Sequence, residues 1–230
     1  MKVQIWSDVM CPFCYIGKKN FIAALEKLPF KDEVEVEWKS YQLDPELNET
    51  SGSKTINEYL AERKRMPIAQ IEQMQMRIKD MGKQVGIGFN IENAIVANTF
   101  PAHKLIHFAA KSNKANEAEE LLFHAYFIDG KNIADHDVLV NIAEELGLDT
   151  DQAQYVLNSD SFDYEVQQDI LEARNIGVSG VPFFVLNDKY TISGAQPAEL
   201  FVEALKKTYD EIISTINPTE GNSCTIDGCE

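Results

Sequence analysis

The sequence predicts an α/β protein in which one mixed sheet is built from both ends of the chain. The amino end has a strand–helix–strand pattern, and the carboxyl end has a strand–strand–helix pattern. Between them, residues 51–175 show the apolar spacing of helices. Because two or three strands alone bury too little apolar surface to be stable, we expect the strands of both ends to share one sheet.

The strand–helix–strand unit is justified by three stretches near the amino end. "KVQIW" alternates Val3 and Ile5 with polar residues, as a short strand does. "YIGKKNFIAALEKL" places its apolar residues on one helical face, and Pro29 marks its end. "EVEVEWKSY" alternates again and predicts a half-exposed strand. A helical connection of this kind makes the two strands parallel.

The later elements complete the prediction. After the helical block, "PFFVLN" and "KYTIS" predict two strands, and "PAELFVEALKKTYDEIISTI" predicts a long amphipathic helix. We therefore predict a discontinuous sheet-bearing domain from residues 1–50 and 176–216, with residues 51–175 inserted as a helical subdomain. The polar, turn-rich residues 217–230 are predicted to form a flexible tail.

Composition limits the partners. With 21 Lys and Arg against 37 Asp and Glu, the formal net charge is −16. Such an acidic surface repels phosphate backbones and anionic membranes, so we expect neither nucleic acid nor a membrane as partner. The first residues lack an apolar segment of signal-peptide length, and we expect a cytoplasmic protein. Stable structural disulfides are rare in that compartment.

The motif "CPFC" is the main functional signal. Cys11 follows the first strand at the start of the helix, and Pro12 suits the first helical position. Unpaired backbone N–H groups and the helix dipole favour a thiolate at Cys11. Cys14 lies about one turn further on, shielded and close enough to form a disulfide. We therefore predict an exposed attacking sulfur and a protected resolving sulfur.

Two other interpretations of the cysteines compete with a redox pair. Cys224 and Cys229 could complete a zinc site of four thiolates with the first pair. The proline inside "CPFC" and the polar surroundings of the second pair argue against that site. The cysteines could also be inert buried thiols, which the strand–helix junction argues against.

Three further residues are candidates for lesser roles. Asp8, at the end of the first strand, could accept a proton near Cys14, although a turn or cap role for this aspartate is the more common one. His103 and His107 are four residues apart, as metal ligands on a helix can be. No further ligand motif accompanies them, so a structural or substrate-groove role is favoured and no metal is expected.

Four motifs together resemble a known family. "SDVMCPFCYIGK", "NTFPAHKL", "GVSGVPFFV" and "ISGAQP" are similar, in order and spacing, to the DsbA-like branch of the thioredoxin superfamily, and more narrowly to FrnE-type oxidoreductases. The resemblance covers nearly the whole chain. It implies a thioredoxin-like fold with a large helical insertion.

The resemblance also assigns roles to residues. It implies that Cys11 is the nucleophile, that Cys14 resolves the mixed disulfide, and that Pro182 is a cis-proline preceded by Val181. The backbone of Val181 would then pair with an extended substrate peptide.

The residues between the cysteines, Pro12 and Phe13, are expected to contact substrate as well. DsbA itself commonly has histidine where this chain has Phe13, which cannot donate to a thiolate. We therefore expect a disulfide that is less oxidising than that of DsbA.

The expected activity is thiol–disulfide exchange on protein cysteines, as a reductase or isomerase without a cofactor. The expected partners are protein or peptide thiols and disulfides, with glutathione or thioredoxin as electron donor. Cys224 and Cys229 form either a second redox pair or an incidental pair of tail thiols.

Two alternative functions remain from the sequence. Kappa-type glutathione transferases and hydroxychromene-carboxylate isomerases share the inserted fold, but they generally have Ser at the position of Cys11. The other alternative is a zinc-dependent binding protein or a holdase.

Overall fold

A computed structural model describes residues 1–47 and 54–216. It has four strands and nine α-helices in these residues, arranged as a sheet with helices on both faces. The strands are β1 (Lys2–Ser7), β2 (Glu35–Ser40), β3 (Phe183–Leu186) and β4 (Tyr190–Ser193). The helices are α1 (Pro12–Leu25), α2 (Ile56–Arg63), α3 (Ile68–Gln84), α4 (Phe100–Ala110), α5 (Ala115–Phe127), α6 (His136–Glu145), α7 (Thr150–Asn158), α8 (Asp163–Asn175) and α9 (Ala198–Ile216).

The sheet combines both ends of the chain, in the order β2-β1-β3-β4. β1 and β2 are parallel, whereas β3 is antiparallel to both β1 and β4. The predicted mixed sheet is therefore confirmed, as is the parallel pairing across α1. Since β1 is central and very apolar, its carboxyl end is held firmly where the "CPFC" motif follows.

Helices cover the two faces of the sheet. On one face, α1 packs against α9, where the rings of Phe21, Phe184 and Phe201 form a buried cluster with centroids 4.7–5.8 Å apart. On the other face, α8 covers Trp6, whose indole N–H donates to the main-chain oxygen of Asp169 at 3.0 Å. These two layers fix β1, and with it the start of α1.

One carboxylate, that of Glu120, links the helices between β2 and β3 to α1 by hydrogen bonds. Glu120 on α5 accepts hydrogen bonds from Tyr15 at 2.7 Å, Lys18 at 2.6 Å and Lys19 at 2.5 Å. Lys18 is only 3% exposed, and a buried ammonium without a partner is costly. Burial raises the pKa of Glu120, but its bonds to Lys18 and Lys19 outweigh this and lower the pKa to about 2.

Helices α2–α8 are the elements that follow β2 and precede β3, which fits the helical insertion expected from the sequence. The exact domain boundaries stay a prediction. Cys224 and Cys229 fall in residues 217–230, outside the described part of the chain. No helix among the described residues is both long enough and apolar enough to span a membrane.

Candidate active site

The site begins where β1 ends and a tight turn leads into α1. The amide of Cys11 donates to the main-chain oxygen of Asp8 at 2.9 Å, which closes the turn. Cys11 is the N-cap residue of α1, with extended φ and ψ angles of −95° and 111°, and Pro12 occupies the first turn. Proline costs nothing there because that position lacks an intrahelical acceptor for its amide. The predicted placement of Cys11 is confirmed.

The turn before β3 faces Cys11. The peptide bond between Val181 and Pro182 is cis, as the family resemblance implies. The Cys11 thiol points to the main-chain oxygen of Val181, with Sγ and O 3.5 Å apart. Two segments 170 residues apart in sequence therefore meet at one sulfur.

The predicted exposure of the attacking sulfur is wrong. Cys11 is only 4% exposed, because the turn at Val181 lies over its thiol. Phe13, the next residue but one, is 37% exposed. A partner must displace the contact between the thiol and Val181 before it can reach the sulfur.

A glycine permits the close approach of this turn to α1. A Cβ atom added at Gly17 would lie 2.8 Å from Cγ of Pro182, closer than non-bonded carbon atoms allow. The proline ring has little freedom to move away. Gly17 therefore sets how closely the turn packs against the helix that carries both cysteines.

Cys14 lies one turn further along α1 and is 1% exposed. Burial raises the pKa of its thiol well above the usual value, and the neighbouring Cys11 raises the pKa further. The nearby Asp8 backbone and Ser7 hydroxyl act on the pKa in the opposite direction, but their effect is smaller. The predicted shielding of Cys14 is confirmed, and both cysteines are free thiols.

Near Ser7, at the end of β1, lies a buried polar group that the sequence did not indicate. Glu119, on α5, is 1% exposed, and neither its Oε2 atom nor the Ser7 hydroxyl has a hydrogen-bond partner among the described residues. Burial raises the pKa of Glu119 to about 8, although the Lys18 ammonium lowers it in part. The Ser7 hydroxyl lies close enough to lower the pKa of both Glu119 and Cys14. Glu119 looks like an ordinary charged helix residue in the sequence, so only tertiary packing reveals it.

Asp8 has a turn role. Its carboxylate accepts from the amides of Met10 at 3.4 Å and Leu43 at 2.7 Å, and His103 Nε2 lies 3.6 Å from Oδ1. His103 also contacts the main-chain oxygen of Tyr41 at 2.9 Å. These bonds fasten the chain after β2 to the turn that holds Cys11.

His107 belongs to a separate structural cluster. Its Nε2 atom lies 3.0 Å from Asp169 Oδ2 and 3.1 Å from the Ser40 hydroxyl. In residues 1–47 and 54–216, no three His, Cys, Asp or Glu side chains are grouped so that they could hold a metal ion. The structural interpretation of the two histidines therefore fits their contacts.

Comparison with known proteins places the chain in a family. The model of the DSBA-like thioredoxin domain matches residues 2–206. The chain belongs to this family. It is also 30% identical over 205 residues to the uncharacterized protein YwbO of Bacillus subtilis, covering 88% of this chain and 94% of that one.

Solved structures share the fold of this family member. A probable DsbA oxidoreductase from Streptomyces coelicolor is 31% identical, with a TM-score of 0.86 over 100% of this chain and 98% of that one. A 2-hydroxychromene-2-carboxylate isomerase (15% identity, TM-score 0.68) covers 96% of this chain and all of its own. The cytosolic disulfide reductase DsbM of Pseudomonas aeruginosa (14%, 0.59) covers 95% of this chain and all of its own. The last two likenesses concern the fold alone.

We expect Gly17→Ala to lower the free energy of unfolding by about 1–3 kcal/mol, because the new methyl group overlaps the Pro182 ring. Urea denaturation measures this effect. Gly180→Ala is the matched control, since a Cβ at Gly180 meets no atom within 4 Å. Equal stabilities of the two variants would contradict the proposed close packing.

The raised pKa of Glu119 leads to a predicted dependence of stability on pH. Its pKa rises from 4.5 to about 8 on folding, so the folded state holds a proton that the unfolded state releases in this range. The wild-type protein should therefore lose stability from pH 4.5 to 8, by up to about 1.4 kcal/mol per pH unit from this group. We expect Glu119→Gln to remove this loss. The free energy of unfolding of the variant, relative to that of the wild type, should therefore increase with pH.

The measurement is urea unfolding of both proteins between pH 4.5 and 8. Glu117→Gln, at an exposed position of the same helix, is the control. Its free energy of unfolding should differ from that of the wild type by the same amount at every pH. A constant difference for Glu119→Gln as well would disprove the raised pKa.

Proposed function

We propose that this protein is a thiol–disulfide oxidoreductase that acts on protein or peptide cysteines through Cys11 and Cys14. One observation carries the proposal: the Cys11 thiol, at the start of a helix, lies 3.5 Å from the main-chain oxygen of Val181, next to a cis-proline. A backbone group beside a sulfur can align an extended peptide by hydrogen bonds. Membership of the DSBA-like family supports the same chemistry.

The exchange has two steps. As a thiolate, Cys11 attacks one sulfur of a substrate disulfide, which forms a mixed disulfide and releases one substrate thiolate. Cys14 then loses its proton and attacks Cys11 Sγ. This step forms the Cys11–Cys14 disulfide and releases the second substrate thiolate. The substrate gains two electrons and the protein loses two. Two glutathione thiols, or the two thiols of a thioredoxin, must then restore the reduced pair and become a disulfide themselves.

The proton of Cys14 has a neighbour that can exchange it. Burial raises the pKa of Cys14, so its thiol needs a nearby acceptor before it can attack. The Ser7 hydroxyl lies close to both Cys14 and the buried Glu119 carboxyl, and neither Ser7 nor Glu119 Oε2 has a hydrogen-bond partner in the described chain, so Ser7 can relay a proton between them. When the Cys11–Cys14 disulfide is reduced again, the protonated Glu119 carboxyl can return a proton to the departing Cys14 sulfur.

A small-molecule substrate is less well supported. A cleft of about 770 Å³ lies beside α1 and the start of α9, lined by residues such as Ile16, Lys19 and Pro197, and neither Cys11 nor Cys14 lines it. The thiol lies instead beneath a backbone turn, which suits a peptide that can replace the turn's hydrogen bond. This favours disulfide exchange with proteins over the isomerase and glutathione transferase alternatives.

We further propose that the net direction is reduction or isomerisation in the cytoplasm, with glutathione as electron donor. Phe13 supplies no hydrogen bond to a thiolate, so the reduced pair is stabilised less than in a strong oxidant. DsbM, which shares the fold, is described as a cytosolic disulfide reductase and its structure has been solved with GSH. Thioredoxin is the other donor to test.

The experiment that tests the proposal is trapping of the mixed disulfide. We expect Cys14→Ser to accumulate a covalent complex with a disulfide-bonded substrate such as insulin, because attack by Cys11 no longer has a resolving step. Mass spectrometry under non-reducing conditions measures the complex. Cys11→Ser is the matched control and should form none. Insulin reduction that survives Cys11→Ser would refute the proposal and point to a holdase or another site.

The direction of exchange predicts a reduction potential. Equilibration with glutathione buffers should place the Cys11–Cys14 couple below about −180 mV, well below the −120 mV of a strong oxidant. Phe13→His should raise the potential by supplying a donor to the thiolate, whereas Phe13→Leu should leave it unchanged. A wild-type value near that of the strong oxidant would overturn the reductase assignment while leaving the trapping result intact.

A further inference from the structure

β2 is an edge strand, and its outward backbone groups at Val36 and Trp38 have no partner among the described residues. In the parallel pairing with β1, Glu35 donates its amide to Met1, and Tyr41 donates to Ser7. The alternate residues of β2, Val36 and Trp38, therefore direct their N–H and C=O groups away from β1. None of these four groups bonds to another residue in the described part of the chain.

A groove of about 490 Å³ runs along this edge, and we call it the β2 edge groove. Residues from the end of α4, the start of α5 and α8 line it together with β2. Its lining residues are Glu35, Val36, Glu37, Trp38, Lys39, His107, Ala110, Lys111, Asn113, Ala115, Asn116, Phe162, Glu165 and Asp169. Because the edge is recessed between helices, one extended strand fits there better than the edge of a second globular copy.

A buried donor in the groove also lacks a partner. Trp38 is 6% exposed, and its indole N–H has no acceptor among residues 1–47 and 54–216. Buried donors are nearly always paired in proteins. The indole nitrogen is itself buried, so the groups that β2 offers to an occupant are the outward backbone groups of Val36 and Trp38.

The groove has an unusual aromatic wall. Phe162 adopts a left-handed backbone conformation, with φ of 64°, which is uncommon for a bulky residue. Its ring stacks on His107, with centroids 6.2 Å apart, and Lys111 lies over the ring at 5.8 Å. This ring offers an apolar contact to the side chains of an extended segment.

The charges of the groove favour a basic occupant. Lys39 pairs with both Glu37 and Asp169, and Lys2 pairs with Glu37 as well, so these carboxylates have counter-charges. Glu35 and Glu165 are exposed and form no ion pair with another described residue, and the remaining cation, Lys111, lies over an aromatic ring. Two uncompensated carboxylates along a narrow groove attract lysine and arginine.

One end of the groove lies toward the candidate active site. Ser40, the last residue of β2, bonds to His107 and Asp169 in the lining. The next residue, Tyr41, packs against the same apolar cluster as Val181, which contacts Cys11. A segment bound at Val36 and Trp38 therefore lies on the same side of the molecule as the turn that covers Cys11.

We propose that the β2 edge groove binds an extended, basic segment of the substrate protein, which pairs with Val36 and Trp38 as an additional strand. The choice of a substrate protein as occupant rests on the proposed function. Backbone hydrogen bonds supply affinity, and the carboxylates select the charge of the segment. The groove then holds sequence that lies apart from the reacting cysteine, so it determines which proteins are exchanged.

The test measures binding without any redox step. The probe is a short fluorescent peptide of alternating valine and lysine without cysteine, titrated onto the full chain and followed by anisotropy. We expect Val36→Pro to weaken binding about tenfold or more, because it removes one outward N–H while leaving the β1 pairing intact. Val36→Thr, which keeps the N–H and the β-branched shape, is the matched control and should bind like the wild type.

Further measurements distinguish a loss of binding from a folding defect in Val36→Pro. A peptide N-methylated on alternate amides should also lose about tenfold in affinity for the unchanged protein. Glu35→Gln with Glu165→Gln should weaken binding and reduce its salt dependence. In turnover, Val36→Pro should raise KM for a disulfide-linked basic peptide and leave the rate at which oxidised glutathione oxidises the Cys11–Cys14 pair unchanged.

The two proposals fail in different ways. If the redox function is wrong, the cysteine-free peptide still binds, and Cys11→Ser does not alter its affinity. If the groove proposal is wrong, methylated and unmethylated peptides bind equally and Val36→Pro matches Val36→Thr while disulfide exchange persists. Equal affinity for acidic and basic peptides would overturn the charge assignment, and a dimer that Val36→Pro dissociates would identify a second copy as the occupant instead.

Discussion

The structure of the site depends on one contact between two distant parts of the chain. The turn at Val181 and Pro182 presses against the start of α1, and Gly17 leaves the room for it. If the turn lay further away, Cys11 would face solvent with no backbone group to align a partner. If it lay closer, the proline ring would collide with the helix. The spacing between sulfur and carbonyl is therefore set by packing rather than by the cysteine motif alone.

Much of this arrangement could be read from the sequence because it is local. The alternation around Val3 and Ile5 predicts the strand, and Pro12 predicts the helix start, so Cys11 is placed by neighbouring residues alone. The pairing of both chain ends in one sheet followed from the need to bury apolar surface. The cis bond before Pro182 was different, since only the family resemblance implied it.

The properties that escaped prediction depend on contacts across the fold. Cys11 was expected to be exposed because its own segment suits exposure, yet a segment 170 residues away covers it. Glu119 and Glu120 are adjacent and look alike in the sequence. In the structure one is buried with a raised pKa, whereas the other binds two lysines and has a lowered pKa. Which way each carboxylate points is decided by how α5 docks on α1.

That docking has a consequence for dissecting the chain. Helix α5 belongs to the inserted block, yet its Glu120 is the counter-ion of Lys18, which sits on the helix that carries the cysteines. Excising the block and rejoining its flanks would leave the buried Lys18 ammonium without the Glu120 counter-charge. The sheet and its two cysteines therefore do not form a self-sufficient unit, because the helix that carries the cysteines depends on a helix of the inserted block.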